Sequence, residues 1–130
     1  MTKSSASSHI VDATKVVKVL SRPATPGEKF RDACERRIIH TSTLMSVAID
    51  FGGGPWSEPD PMHHHPHEQT TYVAEGDILF LCEGRPSERL SAGDLYAIPP
   101  DIPHSIQLLS KTARLIDSFT PIREDFLPKK

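Results

Sequence analysis

The stretch that decides the fold of this chain runs from residue 62 to residue 76 and reads M-H-H-H-P-H-E-Q-T-T-Y-V-A-E-G. Five consecutive positions within this stretch contain four of the chain's seven histidines: His63, His64, His65 and His67. Neutral imidazole is the commonest protein ligand for metal ions. Because side chains at i and i+2 of an extended strand point the same way, we expect His63 and His65 to face one ion while His64 faces outward.

Gln69 adds an amide oxygen to this cluster, yet a straight strand would place it roughly 13 Å beyond His65, far outside the ~2 Å length of a bond to a metal ion. The chain must therefore bend between the two residues. Pro66 supplies a reason, because proline cannot donate a hydrogen bond to a neighbouring strand and is found in sheets only at edges or irregularities. We predict that one strand ends at His65, that residues 66–68 form a bend, and that an extended run follows over residues 69–74.

Two side chains of this bend have more than one interpretation. Glu68 could orient a ligand imidazole through a hydrogen bond, or replace Gln69 as a ligand if the bend is shorter than we expect. His67 is either a neighbour of the site or an exposed side chain. The spacing alone leaves these alternatives open.

The same stretch resembles the first signature of the cupin superfamily, which consists of a glycine, a short spacer, His-x-His, three or four residues, Glu, six residues and Gly. Here the pattern is met by His63, His65, Gln69 and Gly76. Glutamine in place of the usual glutamate makes the ligand set neutral. This departure resembles a subgroup with H-x-H-P-H-E-Q that includes the pectin-degradation cupins, which act on unsaturated uronates.

A second cupin signature reads Gly, five residues, Pro-x-Gly, two residues and His. It is similar to the segment that contains Gly93, Pro99 and His104, with Asp101 at the position of the second glycine. His104 follows the turn I-P-P-D-I-P, in which three prolines restrict the backbone and aim the imidazole. The two signatures together cover residues 54–104, and their presence at the expected separation makes the resemblance specific.

We predict His63, His65, Gln69 and His104 as the ligands of one divalent transition metal. Imidazole nitrogen together with an amide oxygen suits Fe, Ni, Mn, Zn or Co, and the sequence does not choose among them. Because none of these ligands is charged, the positive charge of the ion remains available to a substrate. This favours a small anionic or hydroxy-carbonyl molecule at the open coordination positions.

The rest of the chain is patterned as a single all-β domain. Its 130 residues suffice for one domain with its own core. Alternating or β-branched runs separated by glycine and proline turns predict strands near residues 16–20, 37–41, 44–51, 69–74, 78–82, 88–90, 95–98, 105–109 and 113–119. Such a series indicates an antiparallel sandwich or barrel, which the resemblance specifies as a double-stranded β-helix, the jelly-roll barrel of the cupins. A helical turn is expected only over residues 28–35.

The ends and the charge of the chain limit its partners. Residues 1–12 are expected to form a disordered tail without the features of a signal peptide, and the barrel is expected over residues 13–130. No run approaches the ~20 apolar residues of a membrane span. A net charge of -2 without a basic stripe argues against nucleic acid. Cys34 and Cys82 form no motif and suit a reducing compartment, so we expect a cytoplasmic protein.

The last predicted strand, A-R-L-I-D-S-F, sends a carboxylate among apolar side chains. Alternation puts Asp117 on the same face as Leu115 and Phe119. Burying an unpaired charge costs several kcal/mol, so such a residue is usually paired, coordinated or functional. The alternative is a structural aspartate held by arginine or backbone donors. The following T-P-I-R-E-D-F-L is similar to the end of the uronate-type cupins, and this resemblance implies Asp117 as acid/base and Arg123 as carboxylate clamp.

Three functions are compatible with these features. The first is a metal-dependent enzyme that isomerises, opens or transfers a proton within a small oxygenated molecule such as a sugar acid. The second is a metal-dependent dioxygenase, and the third is a module that binds or senses a small ligand without catalysis. A small open barrel has exposed strand edges that a partner can cover, and cupins that resemble this chain often pair, so we also expect a homodimer.

Overall fold

The computed structural model describes residues 15–128, and its strands pair antiparallel throughout. The nine strands within that range are β1 (Glu28–Arg31), β2 (Cys34–His40), β3 (Met45–Phe51), β4 (Glu68–Glu75), β5 (Asp77–Cys82), β6 (Glu88–Ser91), β7 (Leu95–Ile98), β8 (His104–Leu108) and β9 (Ala113–Thr120). A short 3-10 helix, Glu124–Phe126, follows β9. The all-β, antiparallel jelly-roll class expected from the sequence is confirmed.

The strands form two sheets, and distant parts of the sequence become neighbours in the larger one. Its six strands have the order β1-β2-β3-β9-β4-β7, and the smaller sheet has the order β6-β5-β8. Within the larger sheet, Thr71 of β4 lies opposite Asp117 of β9 on one side and opposite Tyr96 of β7 on the other. The segment that follows the histidine stretch is therefore held in the interior of this sheet, between two paired strands.

Alternation along the strands builds the core in two apolar clusters. The larger cluster joins both sheets through Cys34, Phe51, Val73, Ile78, Leu108, Ala113 and Leu115, and the smaller consists of Met45, Val47 and Phe119. Strand β9 contributes to both, with Leu115 in the larger cluster and Phe119 in the smaller. Asp117 lies between them on the same buried face. On β9, a buried carboxylate thus lies between residues of the two apolar clusters, which also share Ile49 as a packing neighbour.

Two turns, one at the far end of β4 and one beside the histidines, need backbone conformations that few residues adopt. Gly76 has φ +84°, and an added Cβ would collide with the carbonyl oxygen of Thr112. Asp101 has φ 62°, in the left-handed region that glycine adopts freely and aspartate tolerates. This conformation explains why the signature has glycine there and why Asp101 can replace it. The Asp101 N–H then donates to the carbonyl oxygen of His65 over 2.8 Å.

The helical turn expected over residues 28–35 is wrong. These residues form β1, a tight turn and the start of β2, with Glu28 directly opposite Arg36. Hydrogen bonds to a neighbouring strand override a weak local helical preference, because the pairing depends on residues outside the segment.

Two predicted extended segments are also absent. Residues 16–20 form no strand, and Val17 and Val19 are exposed. Residues 63–65 do not end a strand either, since only His63 forms an isolated bridge, to His104. The other predicted strands are present with ends shifted by a few residues at most. The tail expected at residues 1–12 lies outside the described residues, and no helix between residues 15 and 128 is long and apolar enough to cross a membrane.

Candidate metal centre

Three histidines from two distant parts of the chain meet at one point. The backbones of His63 and His104 are joined by two hydrogen bonds, of 3.0 and 2.9 Å between nitrogen and oxygen. Their rings are 4.3 Å apart between centroids, and the ring of His65 lies 5.1 Å from that of His104. One ring nitrogen of each histidine lies within 4.8 Å of the others. This grouping is the arrangement that a metal ion requires of its ligands.

Backbone carbonyls determine which nitrogen of each buried ring is available. The Nδ1 of His104 lies 2.7 Å from the carbonyl oxygen of Ile102, and the Nδ1 of His65 lies 3.0 Å from that of His67. A carbonyl only accepts, so both Nδ1 atoms carry the proton and both Nε2 atoms carry a lone pair. The Nε2 of His104 is buried without a hydrogen-bond partner among residues 15–128. A buried lone pair without a hydrogen-bond donor can be satisfied by a cation, so this atom fits a metal ion at the centre of the triad.

Burial keeps these imidazoles uncharged. It is the largest cause that lowers the pKa of His63, His65 and His104, and for His104 it lowers the pKa to about 4. His63 is exposed on its outer side, while the rings of His104 and His65 pack against its inner side. The positive charge of Arg123 lowers all three pKa values further. At neutral pH the three rings are therefore neutral, which is the state that binds metal.

Gln69 is buried beside this triad on the inward face of β4. Its Oε1 lies 3.0 Å from the Nε2 of His65. Because that Nε2 carries a lone pair, two acceptors face each other with no proton between them. Two atoms bound side by side to one ion at about 2.1 Å would lie about 3 Å apart, so this contact suits a shared cation.

Of the other polar residues of the stretch, His64 and Glu68 face away from the triad, whereas His67 packs against it. The His64 side chain is 64% exposed, with its Nδ1 3.9 Å from a carboxylate oxygen of Asp101. Glu68 is on the exposed face of β4. His67 is half-buried, and its ring packs edge-on against those of His65 and Phe119. The alternation that separates His64 from its neighbours thus holds even though no strand forms there.

Asp117 is 8% exposed and has a hydroxyl as its partner. Thr71 donates to its Oδ1 over 2.6 Å. Within residues 15–128 it has neither an ion pair with arginine or lysine nor a hydrogen bond from a backbone N–H, the two kinds of partner expected for a structural aspartate. Burial raises the pKa of Asp117 to about 6.

Arg123 closes the same pocket from the segment after β9. Its guanidinium carbon lies 4.0 Å from the ring centroid of Phe126 and 5.2 Å from that of Phe119. Asp125 accepts hydrogen bonds from its Nε and from one Nη, at 3.3 and 2.7 Å. The second Nη has no partner among the described residues and remains available to a ligand.

These residues share one cavity of about 170 Å³. Five of the six predicted site residues line it, namely His63, Gln69, His104, Asp117 and Arg123. Core residues such as Leu115 and Phe119 contribute apolar wall, and the remaining lining also includes polar residues, namely Arg31, Arg36, Asp60, Tyr96 and Ser105. The cavity is smaller than the several hundred Å³ of a drug-sized site, so it suits a small molecule.

Arg36 is a cavity residue that our sequence reasoning missed. It is on the same face of β2 as the buried Cys34 and the core-packed Ile38, its side chain is 17% exposed, and its guanidinium carbon lies 4.4 Å from the Phe126 ring centroid. Glu28 accepts from its Nε over 2.7 Å, and its two Nη atoms have no hydrogen-bond partner within residues 15–128. Its position in the alternation of C-E-R-R-I-I-H could have revealed it, as the same signal revealed Asp117.

Comparison with known proteins agrees with this architecture. Residues 53–119 match a family model described as a cupin domain. The pectin degradation protein KdgF of Dickeya dadantii (strain 3937) is 36% identical over 104 residues, which are 79% of this chain and 92% of that protein. The structure of KdgF from Halomonas sp. has a TM-score of 0.76 at 29% identity, over 85% of this chain and all of that one. An RmlC-like cupin from Shewanella frigidimarina NCIMB 400 also has a TM-score of 0.76, at 30% identity, over 88% and 99% of the two chains.

Proposed function

The chain belongs to the cupin family, and from that membership we propose that it is a metal-dependent enzyme that isomerises a small unsaturated uronate. The observation that carries this proposal is that a triad of neutral imidazoles and a buried carboxylate without an ion-pair partner meet at one small cavity, which His63, His104 and Asp117 line. The similarity to a protein named for pectin degradation supports the substrate class, because pectin is a polyuronate.

We assign His63, His65, Gln69 and His104 as the residues that would hold one divalent ion, which can be Fe, Ni, Mn, Zn or Co. When bound, the ion supplies Lewis acidity toward an oxygen of the substrate. The residues themselves exclude water from the inner side of the site and add no negative charge. A neutral ligand set of this kind favours an anionic substrate.

Asp117 is the proposed acid/base. One of its oxygens accepts a hydrogen bond from Thr71, and the neighbouring Gln69 side chain also favours its charged form. A pKa of about 6 lets this carboxyl group both accept and return a proton near neutral pH. Its position opposite Thr71 on the buried face of β9 directs it to the cavity that His63 and His104 also line.

Arg123 is the proposed clamp for the substrate carboxylate. Stacking on two phenylalanine rings and pairing with Asp125 restrict the guanidinium to one orientation. An ordered guanidinium binds a carboxylate with less loss of side-chain entropy than a free one. Arg36 reaches the same cavity and can contribute a second contact.

The reaction needs only movement of a proton within the substrate. A cyclic unsaturated uronate has a ring oxygen attached to both the alkene and a hemiacetal carbon. Removing the hemiacetal hydroxyl proton opens the ring to an aldehyde and an enolate, and protonating the far alkene carbon completes a ketone. Asp117, which lines the cavity, is the group that we propose for both transfers. The product has the same composition as the substrate.

A panel of substrates tests this proposal. An unsaturated uronate absorbs ultraviolet light because its alkene is conjugated with the carboxylate, so turnover is followed as a loss of absorbance. We expect turnover of this compound and none of saturated galacturonate, without consumption of oxygen. Oxygen uptake coupled to turnover would instead identify a dioxygenase, and binding without any turnover would identify a ligand-binding module.

A further inference from the structure

Thr71 connects the candidate metal centre to the buried aspartate. It is 1% exposed on β4, two residues beyond Gln69 and directly opposite Asp117 of β9. The Nε2 of Gln69 lies 2.9 Å from its hydroxyl oxygen, which lies 2.6 Å from the Oδ1 of Asp117. One hydroxyl group therefore joins two residues that have separate roles in the proposed function.

The chemistry of these groups gives the hydrogen bonds one direction. An ionised carboxylate only accepts, so the single hydroxyl proton of Thr71 is donated to Asp117. Toward Gln69 the hydroxyl then offers a lone pair, and only the NH₂ end of an amide can donate to it. The other end of the amide, Oε1, is consequently directed at the Nε2 of His65.

This direction matters because the two ends of a glutamine amide have nearly the same size but different chemistry. The carbonyl oxygen has lone pairs that can bind a metal ion, while the NH₂ nitrogen offers donors in their place. Because the two ends have nearly the same size, the shape of the space around the Gln69 side chain does not by itself fix which end of the amide faces the histidines. A carboxylate at this position, as in the more usual form of the signature, would present an oxygen in both orientations.

We propose that Thr71 is a positioning residue, which fixes the Gln69 amide so that its oxygen faces the metal centre. The inference rests on the proposed metal binding and extends it to a residue outside the ligand set. It also explains why Gln69 would depend on Thr71. An amide ligand needs a hydrogen-bond partner that fixes which of its two ends faces the ion, whereas a carboxylate, with two equivalent oxygens, does not.

The test measures the affinity of the full-length chain for Co²⁺ at pH 8, by competition with a chromophoric chelator. Thr71→Val removes the hydroxyl and conserves the shape, and we expect it to weaken Co²⁺ binding by about 10–100-fold. Thr71→Ser retains the hydroxyl and should restore an affinity within about threefold of the original chain. Thr70→Val, on the exposed face of the same strand, is the matched control and should have no effect.

A double-mutant cycle separates positioning from packing. In a Gln69→Glu background, either carboxylate oxygen can face the ion, so we expect Thr71→Val to change Co²⁺ affinity there by less than about threefold. An equal loss in both backgrounds would overturn the proposal, because it would show that Thr71 acts through packing. Unchanged affinity of Thr71→Val in the original chain would overturn it too.

Thermal unfolding of each variant and Co²⁺ binding by the unchanged chain distinguish the possible reasons for a negative result. Thermal unfolding without metal identifies a variant that fails to fold, and Thr71→Ala then replaces Thr71→Val in the same cycle. If the unchanged chain binds no Co²⁺ at all, the proposed metal centre itself is wrong, and the role of Thr71 is contradicted with it. Co²⁺ binding that is insensitive to Thr71 contradicts only the positioning role.

Discussion

The histidines in and beside the candidate centre differ in burial, even where they are adjacent in sequence, as His64 and His65 are. His65 and His104 are 5% and 3% exposed, while the His64 side chain is 64% exposed. Burial and hydrogen bonds from Nδ1 to backbone carbonyls keep His65 and His104 neutral with a lone pair on Nε2, the state that the proposed ligand role requires. The exposed ring of His64 has neither feature, so it should not contribute to metal binding.

The first prediction compares single substitutions within this group. We expect His65→Ala or His104→Ala to abolish stoichiometric metal, because each removes one of three ring nitrogens that lie within 4.8 Å of each other. His64→Ala should retain the metal content of the original chain. Metal analysis after equilibrium dialysis measures all three, and loss in His64→Ala as complete as in His65→Ala would contradict the assignment.

The second prediction concerns the stability of the metal-free protein. The pKa of Asp117 is raised from 3.8 to about 6 by burial, so the folded chain retains a proton that the unfolded chain has lost. Stability from this group is fully present below about pH 3.8 and is lost as the pH rises through about 6. Asp117→Asn should therefore stabilise the chelator-treated protein at pH 8, by on the order of 1–3 kcal/mol.

The same variant separates stability from catalysis. Asp117→Asn retains an oxygen that can accept the Thr71 hydroxyl, so metal content should be unchanged, while turnover should fall by ~10²–10⁴. Thermal unfolding, metal content and turnover are measured on one sample. Destabilisation at pH 8 with full activity per folded molecule would show that Asp117 is a structural residue.

At the scale of residues, the sequence predicted the site wherever the alternation of side chains along an extended segment was enough. It did not predict contacts that depend on which strands pair. Parity separated His64 from His65 and placed Asp117 inside. Thr71 has no such signal, because a buried threonine is ordinary in a strand, and its contact with Asp117 depends on the pairing of β4 with β9.

At the scale of elements, the segment after β9 and the edge strand pair β1–β2 together complete the cavity. The Phe126 ring lies between two arginines of these elements, with the guanidinium carbons of Arg36 and Arg123 at 4.4 and 4.0 Å from its centroid. Local sequence suggested neither arrangement. The strand β1 was mistaken for a helical turn because its four residues are all exposed and lack a buried alternating face.

The third prediction tests the contribution of β2 to ligand binding. Arg36→Gln removes the cation whose two Nη atoms have no partner among the described residues, and a hydrogen bond to a charged group contributes about 1.5–3 kcal/mol. We expect KM for an unsaturated uronate to rise about 10–100-fold, with kcat little changed. Arg89→Gln, an exposed arginine on β6, is the control and should leave KM unchanged. Equal kinetics for the two variants would exclude Arg36 from substrate binding.

At the scale of the whole molecule, one edge of the larger sheet is suited to association. Strand β7 is the last in the order of that sheet. Its Leu95 is 68% exposed and lies directly opposite Tyr72 of β4, which is 43% exposed. An exposed edge with adjoining apolar side chains is a surface that a second copy can cover.

The fourth prediction is therefore a homodimer that depends on this edge. The unchanged chain should have the mass of a dimer in solution scattering at micromolar concentration. Leu95→Glu places a charge in the apolar patch and should give a monomer. This monomer should remain folded, which an unchanged signal at temperatures below the unfolding transition would show. A monomeric unchanged chain, or a Leu95→Glu variant that remains dimeric, would contradict this assignment without affecting the fold.

The central claim is that one divalent ion held by His63, His65, Gln69 and His104 enables turnover of an unsaturated uronate. The most direct measurement removes metal with a chelator, returns Fe, Ni, Mn, Zn or Co in increments, and follows turnover against bound metal. We predict no turnover without metal and a linear rise that ends at one ion per chain for at least one of these metals. Full turnover by the metal-free protein, or a rise that continues well beyond one ion per chain, would contradict the claim.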